Sequence, residues 1–321
     1  MKNFHFLTKR IKGLTNYFKK KKNLFLYFFL FFSISVLITA SLFDVLLRRY
    51  IYENRVNELP INFSLDLYPV LKSKVAKDLT AKSAVVMDNE SKVILFSKNP
   101  NLLFSMASTT KIMTAIISLD YYKMDDILTI QTENVDGVNV GFKIGQKFSF
   151  ENLLYAMLLP SGNDAALAIA QNYKGGEVEF VKKMNEKAKD LGLHNTHFAD
   201  PAGLMDREDY TTVLDLAKLA SYALKNETFA KIVGTKEMMI ADVFQESNFK
   251  LVNLNKLLGT NGVTGIKTGY TDEAGQVLVT SKTENNHTII IVVMDSLDRF
   301  SDTDKLLYLV SGNINYLSIH P

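Results

Sequence analysis

Ala107-Ser108-Thr109-Thr110-Lys111-Ile112-Met113-Thr114-Ala115 sets a serine and a lysine three residues apart at the head of an apolar run. The run predicts a helix from Ser108 to about Asp120. On a helix, positions i and i+3 share a face, so the lysine amine reaches the serine hydroxyl. A serine is a weak nucleophile until a neighbouring base takes its proton. A neutral lysine serves that purpose without histidine. Burial and a second cation both lower a lysine's pKa, so this reading requires another basic residue elsewhere in the chain. The spacing alone is not specific. Ser247 and Lys250 repeat it in a polar stretch with no helical pattern behind it, and a helix cap followed by a solvated lysine has the same spelling.

Outward from this stretch, Ser83–Asp88 and Val93–Ser97 flank a polar turn and predict a β-hairpin. Phe150–Leu158 predicts a second apolar helix, broken by Pro160-Ser161-Gly162-Asn163-Asp164, after which Ala165–Gln171 forms the next. Glu177–Leu191 is amphipathic, with Phe180, Met184, Ala188 and Leu191 on one face and Gly192 as its stop. Thr212–Leu224 is another such helix, capped by Thr211 or Thr212. The last third turns to strands at 236–241, 266–269, 276–281 and 288–294. A closing helix runs from Asp302 to about Tyr316. Strands from both ends and a helical block between them predict an α+β fold, with a mostly antiparallel sheet packed against helices.

The 321 residues contain no cysteine, which excludes disulfides, thiolate metal sites and cysteine nucleophiles. The net charge of +3 is misleading, because residues 1–23 hold eight Lys or Arg and no acid. The other 29 basic side chains face 34 acidic ones, so the body is mildly acidic and gives no reason to propose nucleic-acid binding. Behind the basic run, Leu24–Phe43 reads LFLYFFLFFSISVLITASLF without a charge. Twenty apolar residues span a bilayer core. The lysines before them predict a cytoplasmic tail, residues 1–23, and a transmembrane anchor, residues 24–43. The competing reading is a signal peptide cleaved after Ala40. Either way residues 44–321 lie outside the membrane. Residues 44–80, with Pro60 and Pro69, read as stalk and lead-in, and residues 81–321 as the functional domain.

The second cation is Lys267 in Gly265-Ile266-Lys267-Thr268-Gly269-Tyr270-Thr271. Gly269 has no side chain, so a ligand can lie close to that strand. Strand period places Thr268 on the face opposite Lys267. A third element is Ser161-Gly162-Asn163, where a hydroxyl and an amide on a loop between helices can relay a proton and hold a carbonyl. Ser-x-Asn also occurs at Ser97/Asn99 and Ser311/Asn313. Only Ser108/Lys111, then Ser161/Asn163, then Lys267-Thr268-Gly269 give nucleophile, relay and cation in order, each in a suitable context. His194 and His197 stand near Asp200, but no His-Glu-x-x-His helix accompanies them. No metal or cofactor is expected.

These three elements in this order resemble the Ser-x-x-Lys, Ser-x-Asn and Lys-Thr-Gly set of penicillin-binding proteins and class A β-lactamases. The words ASTTKIMTA (107–115), LLPSGNDAA (158–166), LGLHNTHFADPAGL (191–204) and GIKTGYTDEAG (265–275) are closest to the D-alanyl-D-alanine carboxypeptidases among low-molecular-mass penicillin-binding proteins. The resemblance covers about Ser83 to Leu309. It implies a β-lactamase-like fold and removal of the terminal D-Ala from peptidoglycan stem peptides, with β-lactams as covalent inhibitors. It implies Ser108 as acyl-ester nucleophile, Lys111 as its base, Ser161 as relay and Asn163 on the substrate amide. Lys267, Thr268 and Gly269 would bind substrate, and the N–H groups of Ser108 and Tyr270 would form the oxyanion hole. Arg299, in RFSDTDKLL, would meet the substrate carboxylate; a helix-entry arginine paired with Asp298 or Asp302 is the plainer reading. Val277 replaces a cysteine common in relatives. The chain ends soon after Arg299, without room for the second domain and C-terminal anchor of many relatives, so the N-terminal helix would replace that anchor. A β-lactamase of similar fold is the alternative, weakened because no Glu-x-x-x-Asn lies between Ser161 and Lys267. A non-catalytic cell-wall binding protein is another.

Overall fold

The computed structural model describes Lys21 and residues 31–49, 68–72 and 78–318. Contacts divide the chain into two units, Met1–Ser64 and Leu65–Pro321. In the first, helix α1 (Phe31–Arg49) has 19 residues, a mean hydropathy of 1.8 and no buried face. It is long and apolar enough to cross a bilayer. Residues 24–30 of the predicted span lie outside the described residues. The helix continues beyond Phe43, and Arg48 bonds Asp44 one turn earlier at 2.8 Å.

The second unit opens with β1 (Tyr68–Leu71), which falls within the stretch read as stalk and lead-in. Then come β2 (Ser83–Asp88), β3 (Ile94–Lys98), β4 (Phe104–Ser105), a 3-10 turn (Ala107–Thr110) and α2 (Lys111–Leu119). The helical block follows: β5 (Ile127–Thr129), β6 (Lys147–Ser149), α3 (Phe150–Leu158), α4 (Asn163–Gln171), α5 (Gly176–Asp190), β7 (Tyr210–Thr211), α6 (Val213–Ala223) and α7 (Glu227–Val233). Last are β8 (Glu237–Ala241), β9 (Asn248–Val252), β10 (Val263–Thr271), β11 (Gly275–Glu284), β12 (His287–Ser296), α8 (Arg299–Val310) and β13 (Ile314–Leu317).

One antiparallel sheet in the order β10-β11-β12-β2-β3 joins strands from both chain ends. All six residues of β2 are buried, and the side-chain period of two divides them between two cores. Ala84 and Val86 join Leu278, Ile291 and Val293 against Leu306, Leu307 and Val310 of α8. Val85 and Met87 join Val279, Ile290 and Val292 in the larger core with the helical block. A sheet covered on both faces reads as continuous apolar sequence, because neither face needs polar residues. Each large apolar side chain so buried is worth roughly 1.5–3 kcal/mol. Helix α2 lies within the larger core, and all its residues but Leu119 are buried.

Several boundaries differ from the sequence reading. The helix predicted from Ser108 begins as a 3-10 turn and becomes α-helical only at Lys111. The closing helix starts earlier, at Arg299, because the Asp298 carboxylate accepts from the N–H groups of Phe300 and Ser301. It also ends earlier, at Val310. Gly312 takes φ +62, a turn favoured at glycine, and the chain then pairs as β13 with β1. Asp302, taken as the helix start, is buried and accepts from Thr80, Ala81 and Ser296. Thr212 is the cap of α6. Helix α7 and strand β9 carry too little periodic pattern to be read from sequence.

Candidate active site

The 3-10 turn holds Ser108 half-buried at the free edge of β10. Ala107, before it, has φ +45, a left-handed conformation that costs an L-residue on the order of 1–3 kcal/mol and clusters at functional sites. Two glycines make room for this turn. A Cβ on Gly269 would lie 3.2 Å from both Ala107 Cβ and Met106 O, and 3.4 Å from Ser108 N. A Cβ on Gly203 would lie 2.0 Å from Ala107 O. Gly269 was read as leaving space for a ligand; the nucleophile turn itself takes up space beside that strand. The Ser108 N–H is thereby set beside the strand that continues into Tyr270.

Lys111 begins α2 and has no exposed surface. Its Nζ lies 2.9 Å from Ser108 Oγ, and donates to Asn163 Oδ1 at 2.7 Å and Ala202 O at 2.7 Å. Burial holds its pKa down at about 7, against the opposing pull of Asp200, Asp164 and Asp209. Near neutrality a substantial fraction is therefore free amine, and in that form the Ser108 hydroxyl becomes the donor.

Lys267 on β10 is also buried and donates to Ser161 Oγ at 2.8 Å and Thr268 O at 3.0 Å. Burial lowers its pKa well below the ordinary lysine value, and the charges of Lys111 and Arg299 lower it further. The sequence reading gave Lys267 the task of lowering Lys111. Burial is the largest cause on Lys111, and the mutual repulsion is felt at Lys267.

The break between α3 and α4 places Ser161 at φ +70. Gly162 is obligatory there, since a Cβ would meet Val140, Ala156 O and Asp164 within 2.9 Å. Asn163 donates from Nδ2 to Asp136 O at 2.6 Å while Oδ1 accepts from Lys111. Both heteroatoms of its amide have protein partners, so it spans from the base to a loop, a task its assignment to the substrate amide did not foresee. The result is two hydrogen-bonded sets, Ser108 to Lys111 to Asn163 and Ser161 to Lys267.

Arg299, at the first turn of α8, donates from Nη1 to Gly269 O at 2.6 Å. Its Nε is buried without a hydrogen-bond partner among the described residues, and burial lowers its pKa. Asp298 is occupied as the helix cap and Asp302 with Thr80 and Ser296. The surface ion pair that was the plainer reading is therefore absent among the described residues. Thr268 is 4% exposed, with no side-chain hydrogen bond among the described residues. Tyr270 is 59% exposed and donates to Asp272 at 2.9 Å.

Sequence reading missed the supports. Asp164 accepts from the N–H groups of Val140, Gly141 and Phe142 and ties their loop to α4. Asp206 accepts from Ser105 at 2.5 Å and Thr271 at 2.7 Å, joining the lead into the nucleophile turn to the end of β10. No spacing rule selects these residues. His197 stacks on Tyr210, and its Nδ1 lies 2.9 Å from Glu208 O, while Asp200 is engaged with backbone N–H groups. The other two Ser-x-Asn pairs serve turns, as where Asn99 donates to Lys82 O.

A sequence profile described as D-alanyl-D-alanine carboxypeptidase matches residues 71–297. This chain belongs to that family of serine peptidases. The D-alanyl-D-alanine carboxypeptidase DacF of Bacillus subtilis is 38% identical over 221 residues, 66% of this chain and 57% of the relative. The chain thus spans little more than half of that protein. A D-alanyl-D-alanine endopeptidase of Pseudomonas aeruginosa is 35% identical over 74% of this chain and 80% of its own length. The crystal structure of the Streptomyces K15 DD-transpeptidase superposes with a TM-score of 0.69 at 33% identity, covering 74% of this chain and 98% of that one. The α+β architecture is that of the penicillin-binding proteins.

Proposed function

We propose that this protein is a serine-type D-alanyl-D-alanine carboxypeptidase that removes the terminal D-Ala from peptidoglycan stem peptides and is acylated by β-lactams. The observation that carries this reading is the pair of buried lysines, each hydrogen-bonded to a serine hydroxyl, beside an arginine with no ion pair among the described residues. Lys111 as free amine takes the proton of Ser108 as Oγ attacks the carbonyl of the penultimate D-Ala. The N–H groups of Ser108 and Tyr270 receive the oxyanion, each worth a few kcal/mol in the transition state. The proton passes to the leaving D-Ala amine, with Ser161 as relay and Lys267 hydrogen-bonded to it. Water then releases the acyl group from Ser108.

Lys267, Thr268 and Gly269 line the side that receives the substrate backbone, and Arg299 receives its terminal carboxylate. A guanidinium suits that geometry because it binds a carboxylate bidentately. In the same proposal residues 1–23 are a basic cytoplasmic tail, 24–43 the membrane anchor, 44–80 a stalk and lead-in, and 81–321 the enzyme domain outside the membrane. The test is release of D-Ala from a peptide ending in D-Ala-D-Ala, beside labelling by a tagged penicillin and hydrolysis of a β-lactam. D-Ala release with a persistent label on the peptide containing Ser108 supports the reading. Rapid β-lactam turnover without D-Ala release replaces it by a β-lactamase, and neither activity in folded protein leaves a binding module.

A further inference from the structure

Behind Lys111, the loop between α5 and α6 carries two carboxyl groups that the chemistry above does not use. Asp200 is 7% exposed and Asp209 1%. Asp200 sits under the turn 200–205. Its Oδ1 accepts from the N–H groups of Ala202 and Gly203 at 2.6 and 2.7 Å, and its Oδ2 from those of Leu204 and Met205 at 2.7 and 2.8 Å. A carboxyl that receives four N–H groups is held as the anion. Asp209 receives fewer: the Ala199 N–H at 2.8 Å on Oδ1, with the Met205 N–H acting on it as well. Its Oδ2 is buried with no donor among the described residues. Met205 joins the two residues, its N–H going to Asp200 and its carbonyl accepting from the Asp209 N–H at 2.8 Å; each carboxyl bears on the other's protonation, and two buried carboxyls so placed hold one proton between them. Asp209, with fewer donors and an orphaned oxygen, carries it.

The turn so fixed touches Lys111 and the residue that precedes Ser108. Its Ala202 carbonyl accepts from Lys111, its Pro201 carbonyl accepts from Thr114 of α2 at 2.6 Å, and Gly203 packs on Ala107. The charged groups around it are few. Asp200 and Asp164 of α4 act on Lys111 of α2, as Asp209 does when ionised, and Glu177 of α5 faces Asp200. Asp206 is committed to Ser105 and Thr271, and His197 to the Glu208 carbonyl. A second full negative charge in this group would favour the ammonium form of Lys111.

We propose that Asp209 is a positioning residue: protonated, it gives its hydrogen to Asp200, fixes the turn that seats Lys111, and keeps the negative charge facing that lysine low enough for it to act as a base. The proposal rests on the reading of Lys111 as the base of Ser108. Burial, reinforced by the charge of Asp200, pushes the Asp209 carboxyl up to about 9. Acylation should therefore rise with pH through about 7, as Lys111 loses its proton, and fall above about 9, as Asp209 loses its own. Stability follows the same proton. The folded pKa lies above the unfolded value of about 3.9, so stability present in acid is lost progressively as pH climbs from about 4 toward 9.

The experiment measures acylation by a tagged penicillin from about pH 6 to about pH 10 in the full-length protein and in Asp209→Asn, Asp209→Ala and Lys111→Ala. An asparagine amide donates to Asp200 and accepts from Ala199 at every pH. Asp209→Asn should stay within about twofold of wild type near neutrality and move the alkaline fall-off upward by about one pH unit. Asp209→Ala should lose roughly tenfold at all pH values. Asp209→Asn should also melt above wild type at pH values near 8, with the gap closing toward about 4. An unchanged alkaline limb in Asp209→Asn, with acylation lost in Lys111→Ala, overturns the proposal and leaves the reading of Lys111 standing. Acylation retained in Lys111→Ala overturns both. Should Asp209→Asn not fold, infrared spectra of wild type with isotope-labelled aspartate decide. A protonated carboxyl band at neutral pH that fades near 9 supports the proposal, and absence of any such band ends it.

Discussion

Ser108–Lys111 and Ser247–Lys250 have the same spelling and opposite surroundings. Lys111 has no exposed surface and contacts Ser108, Asn163 and the Ala202 carbonyl. Lys250 lies on β9, largely in solvent, and pairs with Glu237 at 2.8 Å. Ser247 accepts from Gln146 at 2.9 Å. Burying an ammonium costs several kcal/mol, so Lys111 releases its proton near neutrality, while an exposed lysine beside a carboxylate has no reason to. The comparison teaches that environment, and not the serine–lysine spacing, makes a base.

The largest effect should come from the buried pair. Ser108→Ala should abolish penicillin labelling, and Lys111→Ala should slow acylation on the order of 10⁴-fold or more. A persistent label in folded Ser108→Ala would move the nucleophile elsewhere. Next come the glycines that seat it. Gly203→Ala puts a Cβ where Ala107 O stands, and a displacement of that kind costs on the order of 10²-fold; near-normal acylation would show that the turn yields easily.

Lys267→Ala should slow acylation on the order of 10²-fold while leaving the rise with pH centred near 7. Lys111 must be neutral to act, so acylation rises as pH passes its pKa, and burial, which the substitution barely changes, is the largest cause of that value. A midpoint moved well above 7 would return the tuning to Lys267. Arg299→Ala should hurt turnover of a peptide ending in free D-Ala roughly tenfold more than that of its C-terminal amide. Equal losses would remove Arg299 from carboxylate recognition. The smallest effect belongs to the exposed pair. Ser247→Ala and Lys250→Ala should leave labelling unchanged and shift stability by no more than about 0.5 kcal/mol. Any larger loss in a melting experiment would mean that the β8–β9 hairpin supports the site.

Much was legible from pattern. Continuous apolar runs in β2 and β12 marked strands, and the amphipathic face of α5 marked a helix, because side-chain period survives in any fold that buries one side. Helix α7 escaped because its seven residues span only two turns. The end of α8 escaped because a helical apolar pattern continues past Ser311, and only Gly312 in a left-handed turn diverts the chain into β13.

By itself the sequence determined the order of Ser108/Lys111, Ser161/Asn163 and Lys267-Thr268-Gly269, and hence the family. It also determined the mostly antiparallel sheet packed against helices, since composition and period are local properties. The tertiary structure alone decided which Ser-x-x-Lys is buried, which lysine feels the other's charge, and why Gly203 and Gly269 must lack side chains. It also brought Asp200 and Asp209 together behind Lys111. Burial and electrostatic pairing depend on distances between residues remote in sequence, and no spacing along the chain encodes them.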